Sequence, residues 1–263
     1  MKPLHTLAET RTPDGSRLTL HEHDGDTFLK LNGRQVMNSA ATASEVQLAD
    51  IACDFFPRIA DPRILVGGLG LGFTLRRVLD LVGPRAIVHV AESIPEVVAW
   101  NRELLGPQNQ AMLKDHRVSI MVADVFDLIK KSTREADRYD AILLDVDNGP
   151  VAMVATGNQR LYSRRGIATI ARALKPGGRL AIWSADDDKP FFERLGREGL
   201  EVKAFDAKAH ERARRAAHRI YLGENGRRAA IDAGGKSPPS SAGSRNTGAA
   251  DTSAGARRHA RMT

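Results

Sequence analysis

Between Ile64 and Phe73 the chain reads Ile64-Leu65-Val66-Gly67-Gly68-Leu69-Gly70-Leu71-Gly72-Phe73. Three apolar residues run into a glycine turn, and an apolar stripe at Leu71, Leu75, Val78, Leu79 and Val82 follows. This describes a buried strand, a tight turn and a helix. A short strand that is apolar on both faces needs cover on both, and a parallel sheet with helices on either side supplies it. The rest of the chain repeats the unit. Strands over 86–91, 118–122, 139–144 and 180–183 alternate with helical stretches over 95–105, at 125–129 and at 167–174. Pro95 is tolerated in the first turn of its helix, and Pro176-Gly177-Gly178 ends the last one. A helix near 191–195 precedes two closely spaced strands, 201–206 and 218–222, read as an antiparallel hairpin at the sheet edge. The predicted class is α/β: a Rossmann-like, doubly wound, mostly parallel seven-stranded sheet.

Two flanking regions differ. In the first 43 residues Asp14-Gly15, Asp24-Gly25 and Asn32-Gly33 are hairpin turn dipeptides, and Leu18, Leu20, Phe28, Leu29 and Leu31 lie between them. They predict a small antiparallel sheet, which must pack on something larger to be stable. From Ser44 the period becomes helical, with Leu48, Ile51, Ala52, Phe55 and Phe56 on one face and Pro57 as the stop. Residues 44–223 form the predicted Rossmann-like domain. The segment 224–263 is rich in Ala, Gly, Ser and Arg, with Ile231 and Met262 as its only sizeable apolar side chains. It predicts a disordered basic tail.

The net charge of +7 belongs largely to that tail, which holds seven Arg/Lys against three Asp/Glu. The remaining residues carry only +3, which argues against a nucleic-acid-binding body. No apolar run approaches the roughly 18–20 residues that span a bilayer, and Met1–Thr6 lacks the apolar segment of a signal peptide. The one cysteine, Cys53, makes neither an internal disulfide nor a multi-cysteine metal site. A reducing, cytoplasmic setting with no metal is the expectation.

The loop at Gly67, Gly68, Gly70 and Gly72 lets a ligand approach the backbone, and the helix after it favours polar or anionic ligand groups. It does not match the dinucleotide fingerprint, whose third glycine falls on Phe73 or Leu75. What remains, G-x-G-x-G, resembles the first motif of class I S-adenosylmethionine-dependent enzymes. Glu92, with Ser93 after it, ends the next strand, where an acid accepts hydrogen bonds from both hydroxyls of a ribose. Asp124, followed by Val125, ends the third strand; it accepts from an adenine amino group, caps the next helix, or does both. Ligand-type residues at three successive strand ends face one sheet edge, where open α/β sheets bind ligands.

The fourth strand ends Tyr139-Asp140-Ala141-Ile142-Leu143-Leu144-Asp145-Val146-Asp147-Asn148-Gly149-Pro150. Asp145, Asp147 and Asn148 form either a pocket that binds a cationic amine and takes its proton or a turn built from turn-forming residues. From about Phe28 to Leu222 the chain resembles the spermidine/spermine synthase family. The resemblance rests on the hairpins, Gly67–Gly72, Ala91-Glu92-Ser93, Tyr139–Pro150, Leu161-Tyr162-Ser163 and Ala173-Leu174-Lys175-Pro176-Gly177-Gly178. It implies a small β-domain before a Rossmann-like domain, assembly as dimers or larger, and aminopropyl transfer from decarboxylated S-adenosylmethionine to putrescine or a longer amine. It makes Asp145 the catalytic aspartate, Glu92 the ribose ligand and Asp124 the adenine ligand; Tyr162 lines the amine pocket or packs beside the helix. The sequence departs from the family at Gly70, where the family has Asp, at Asp147-Asn148, where a second aspartate is replaced or shifted, and at Gln35, one residue early. A neutral loop at Gly70 tolerates the carboxylate of intact S-adenosylmethionine, so methyl transfer to a small molecule or protein is the alternative. A non-catalytic nucleoside- or polyamine-binding module is the third reading.

Other residues read more plainly. His21 and His23 are solvated neighbours on a strand, His89 and Cys53 are packed, and Asp186-Asp187-Asp188 and Arg212–Arg215 are solvated loops. Trp183 fills core or stacks on a ligand.

Overall fold

A computed structural model describes residues 4–56, 59–146 and 158–226. The predicted tail lies almost wholly outside the described residues, as does Pro57.

Four strands open the chain: β1 (His5–Arg11), β2 (Arg17–His23), β3 (Asp26–Leu31) and β4 (Arg34–Asn38). They pair antiparallel in sequence order. Asp24-Gly25 and Asn32-Gly33 all have positive φ, the geometry of a two-residue hairpin turn whose twist matches its strands. Leu18, Leu20 and Leu29 turn inward and join the core of the larger sheet, so the small sheet is anchored by burial rather than by its own hydrogen bonds.

That larger sheet is built from β5 (Arg63–Gly67), β6 (Ile87–Glu92), β7 (Val118–Val122), β8 (Tyr139–Leu144), β9 (Leu174–Ser184), β10 (Leu200–Ala207) and β11 (His218–Asn225), in the order β10-β11-β9-β8-β5-β6-β7. The five strands from β5 to β9 run parallel, and β10 and β11 are antiparallel, as expected. Between the strands lie α1 (Ala43–Cys53), α2 (Phe73–Leu81), α3 (Pro95–Glu103), α4 (Gly106–Leu113), α5 (Val125–Lys131), α6 (Gln159–Tyr162), α7 (Arg164–Ala173) and α8 (Lys189–Arg197).

The strands divide their side chains by period two. Ile64, Val66, Ala141 and Leu143 enter a core shared with α1–α4 and the small sheet. Leu65, Ile142 and Leu144 enter a second core with α5–α8. Every residue of β8 is buried. Each Leu or Ile buried in this way contributes roughly 1.5–3 kcal/mol, which fixes the strand at the centre. The chain runs outward from β5 to β6 and β7, then returns to β8 on the other side of β5. The β5/β8 boundary is therefore the switch point of the sheet, where crevices form outside the strand ends.

Two elements depart from expectation. The helix α4 is absent from the sequence reading, because Gly106-Pro107 reads as a break and only Asn109 and Met112 of the helix are buried. Strand β9 begins at Leu174, so Pro176-Gly177-Gly178 lies inside it. Gly177 has a φ of 74°, and the register with β8 shifts between Tyr139 and Ala141, so the turn-like residues form an irregularity rather than a stop. No helix among the described residues is long and apolar enough to cross a membrane.

Candidate active site

The glycine turn leaves β5 at the switch point and lies against the end of β8. Asp145 N–H donates to Gly67 O at 3.0 Å. Gly68 has a φ of +84°, and a Cβ there would sit 2.3 Å from the carbonyl oxygen of Asp145. The two strand ends approach more closely than any side chain permits. On its other side the turn is held by a buried amide pair. Asn101 Nδ2 donates to Gly70 O (2.8 Å), and Asn109 Nδ2 donates to Leu71 O (2.9 Å) and to Asn101 Oδ1 (2.6 Å). From the small sheet, Met37 Sδ accepts from Leu71 N–H at 3.2 Å.

Glu92 ends β6 and is 7% exposed. Its Oε2 accepts from Leu69 N–H (3.0 Å) and its Oε1 from Ile94 N–H (2.9 Å). Burial pushes its carboxyl above the ordinary range, opposed by these backbone N–H groups. The carboxylate thus organises the glycine turn, and each oxygen keeps lone-pair capacity for a ligand.

Asp124 performs the capping role: Oδ1 accepts from Phe126 N–H at 2.8 Å at the start of α5. Its Oδ2 meets Arg160 at 2.6 Å.

Asp145, at the end of β8, accepts from Thr74 Oγ1 at 2.9 Å. Burial pushes its carboxyl up to about 6. Glu45, in the first turn of α1, is 7% exposed and accepts from Ser44 Oγ at 2.6 Å. Burial first, and the charge of Asp145 second, push it up to about 7.

These groups surround one cavity of about 480 Å³, within the size range of small-molecule sites. The glycine turn and the ends of β6, β7 and β8 form its floor. Leu18, Leu29, Leu31, Val36 and Met37 of the small sheet form an apolar wall. Its charged lining is wholly acidic: Asp14, Glu45, Glu92, Asp124 and Asp145, with no Lys, Arg or His among the described lining residues.

Of the residues singled out from sequence, Gly68, Gly70, Glu92, Ser93, Asp124, Val125 and Asp145 line this cavity, and so does Trp183. Gly67 and Gly72 do not: Gly67 backs onto Val125, Leu144 and Val146, and Gly72 onto Asn101, Asn109 and Met112. Tyr162 lies in the second core, edge-on to Phe191 at 5.7 Å between ring centroids, and is not part of the lining. Asp147 and Asn148 lie outside the described residues. The Trp183 indole N–H is buried without a partner among the described residues, and its ring lies against His218 at 4.7 Å.

His21, expected to be solvated, is buried and bonds to Thr6 and Thr19, and His89 bonds to Tyr139. Cys53 is buried, which pushes its thiol up. The aspartate run is structural rather than simply solvated. Asp188 caps α8 by accepting from Phe191 N–H, and Asp187 accepts from Tyr221 Oη. No group of three or more potential ligands for a metal occurs among the described residues.

Sequence reasoning missed Glu45, Met37, Asn101 and Asn109. A signal existed for Glu45, which precedes Leu48 by three residues and Ala52 by seven and so lies on the apolar face of its helix.

Against known proteins, the family model described as spermine/spermidine synthase domain matches residues 56–196. Polyamine aminopropyltransferase 1 of Hyperthermus butylicus is 30% identical over 151 residues, covering 57% of this chain and 49% of that protein. The polyamine aminopropyltransferase of Mycobacterium tuberculosis is 30% identical over 129 residues, covering 48% and 24%. The chain thus spans about half the length of the first and a quarter of the second. Spermidine synthase from Thermotoga maritima superposes with a TM-score of 0.67 at 18% identity, over 84% of this chain and 73% of its own. A spermidine synthase in complex with the transition state analogue AdoDATO gives 0.67 at 20% identity, over 84% and 74%. At these identities the structural likeness is one of fold; the family match, which spans more than half the chain and includes the glycine turn, Glu92, Asp124 and Asp145, places this protein in the spermine/spermidine synthase domain family.

Proposed function

We propose that the chain is a transferase that moves an aminopropyl group from decarboxylated S-adenosylmethionine to an amine. The observation that carries the reading is the sign of the cavity: five carboxylates and no described basic side chain. Both reactants are cations, a sulfonium and an ammonium, and a cleft lined by one sign of charge concentrates the opposite sign. The carboxylate of intact S-adenosylmethionine meets no cationic side chain among the described lining residues, which favours the decarboxylated donor over methyl transfer. The names of the curated relatives and the AdoDATO complex of one structural neighbour support the same choice.

In this reading Glu92 receives the ribose hydroxyls on lone pairs not used by Leu69 and Ile94. Asp124, with Val125 beside it, receives the adenine edge, and Trp183 closes the far side. The reaction is an in-line displacement at the carbon next to sulfur, and it needs a neutral nitrogen. An amine with a pKa near ~10 is almost entirely protonated at pH 7, so a base must take the proton. Asp145, raised by burial toward neutrality, suits that task. Asp147 and Asn148 follow it in sequence and would add contacts to the amine. Orientation of the two reactants can supply a further ~7–11 kcal/mol.

The test is calorimetric titration of the full chain with decarboxylated S-adenosylmethionine, intact S-adenosylmethionine and methylthioadenosine, followed by a product assay with putrescine. Preference for the decarboxylated donor and formation of spermidine with methylthioadenosine are expected. Preference for the intact donor would replace this reading with methyl transfer, and binding without turnover would leave a passive module.

A further inference from the structure

We propose that Glu45 is the second member of the acid–base group of this cleft: Glu45 and Asp145 together receive the ammonium of the acceptor amine and share the proton it gives up. The inference rests on the transferase reading of the same cleft and adds to it a residue that neither motif nor resemblance points to.

The geometry is a meeting of two elements far apart in sequence. Glu45 comes from the first turn of α1 and Asp145 from the end of β8, and both line the one cavity. Each is held by a single described hydroxyl, Ser44 Oγ for Glu45 and Thr74 Oγ1 for Asp145. Among the described residues no cation acts on either carboxylate.

Most basic groups on elements packed against α1 are engaged elsewhere, and Lys203 of β10 is exposed. Arg77 pairs with Asp50, Arg179 with Asp54 and Glu224, Lys175 with Asp140, and Arg219 with Asp187 and Asp206. Arg76 bonds to Gln108 and Asn109, and His218 lies against Trp183. The other charged lining groups, Asp14, Glu92 and Asp124, are negative. Among the described residues Asp145 is the charged group that acts on Glu45. Two carboxylates in a shielded cleft without a cation either hold a proton between them or take up a cationic ligand. Raised proton affinity at both residues agrees with this.

The chemistry balances with one proton. The ammonium enters as counter-charge and transfers a proton to the carboxylate pair. The freed nitrogen lone pair forms the new C–N bond while the C–S bond breaks, its electron pair passing to sulfur. The products are a secondary ammonium, a neutral thioether and a singly protonated pair, which then releases its proton to water.

The experiment is calorimetry of 1,4-diaminobutane binding to the full chain saturated with methylthioadenosine. It is run at several pH values in buffers of different ionisation enthalpy, so that proton release is counted. With wild type, diamine binding near pH 7 is expected to release protons, and less so above pH 8. With Glu45→Gln the diamine affinity should fall at least tenfold and the release should be lost, while methylthioadenosine affinity stays within twofold. Glu45→Asp should keep the release.

Unchanged diamine affinity and release in Glu45→Gln would overturn the inference while leaving the transferase reading intact. Equal loss of diamine and nucleoside binding, with a lowered Tm, would make Glu45 a packing residue and overturn it too. Failure of the wild-type chain to bind methylthioadenosine would defeat the transferase reading and this inference with it.

Discussion

Met37 of the small sheet rests on Gly70 of the nucleotide-type turn: a Cβ at Gly70 would lie 2.8 Å from both Sδ and Cε of Met37. Gly70 also has a φ of +50°, where a side chain is strained. Gly70→Ala is therefore expected to lower stability by about 1–2 kcal/mol. Part of that cost is steric against a flexible thioether, so Gly70→Ala in a Met37→Ala background should cost less. Urea unfolding of the four proteins in this cycle measures the coupling. Strictly additive effects would show that the contact carries no energy.

Glu92 supports the same turn through both carboxylate oxygens. Glu92→Gln replaces one acceptor by an N–H₂ donor, and either Leu69 N–H or Ile94 N–H then loses its partner. The expected cost is about 1–3 kcal/mol for the orphaned buried donor. Methylthioadenosine affinity should fall at least tenfold, because in the proposed function the carboxylate that holds the turn also receives the ribose. Thermal melts with and without the nucleoside check both effects. A variant with normal melting but lost binding would confine Glu92 to ligand contact.

How far the sequence foretells this arrangement depends on the range of the interaction. The hairpins were legible because Asp24-Gly25 and Asn32-Gly33 write their positive φ values in local chemistry, and the parallel core because strand and helix periods alternate. Glu92, Asp124 and Asp145 could be placed at strand ends for the same reason. Glu45 was visible as an acid on an apolar face, but its position beside Asp145 depends on how α1 packs across the sheet. Asn101 and Asn109 carry no pattern at all. Their role comes from α3 and α4 folding back on the glycine turn, and α4 was itself hidden by Gly106-Pro107. Of the two readings the sequence left open for Tyr162, the described residues show packing: it lies in the second core, where Phe191 and Tyr221 continue an edge-to-face series.

Asp145→Asn keeps the shape of the end of β8 and the hydrogen bond from Thr74, but removes the proton acceptor. Turnover with putrescine is expected to fall about 10²–10⁴-fold, the usual contribution of a positioned base. Methylthioadenosine affinity should change little, because the proposed function gives Asp145 contact with the amine and not with the nucleoside. The loss should shrink at high pH, where more of the amine is already neutral. Near-normal turnover in the variant would remove Asp145 from the mechanism.

The carboxylates of Glu45 and Asp145 predict an unusual dependence of stability on pH. Both have folded-state proton affinities above the ordinary range, up to about 7 and about 6. The folded chain therefore binds more protons than the unfolded chain between roughly pH 4 and pH 7. Their contribution is fully present below about pH 4 and is lost as pH rises through the folded values. The buried His21 and the half-buried His89 and His218 have lowered proton affinities, chiefly from desolvation, and work in the opposite sense, losing stability as pH falls. The whole-protein curve mixes the two effects, but the difference between wild type and Glu45→Gln isolates the carboxylates. Glu45→Gln should gain on wild type as pH rises from 5 to 8, by about 1–3 kcal/mol at pH 8. Adding 1,4-diaminobutane at pH 8 should stabilise wild type more than the variant, because only the intact pair offers two charges to the cation. Denaturant unfolding at pH 5, 6, 7 and 8 reads the difference. Parallel curves for the two proteins would show that Glu45 stays ionised throughout and that the pair does not share a proton.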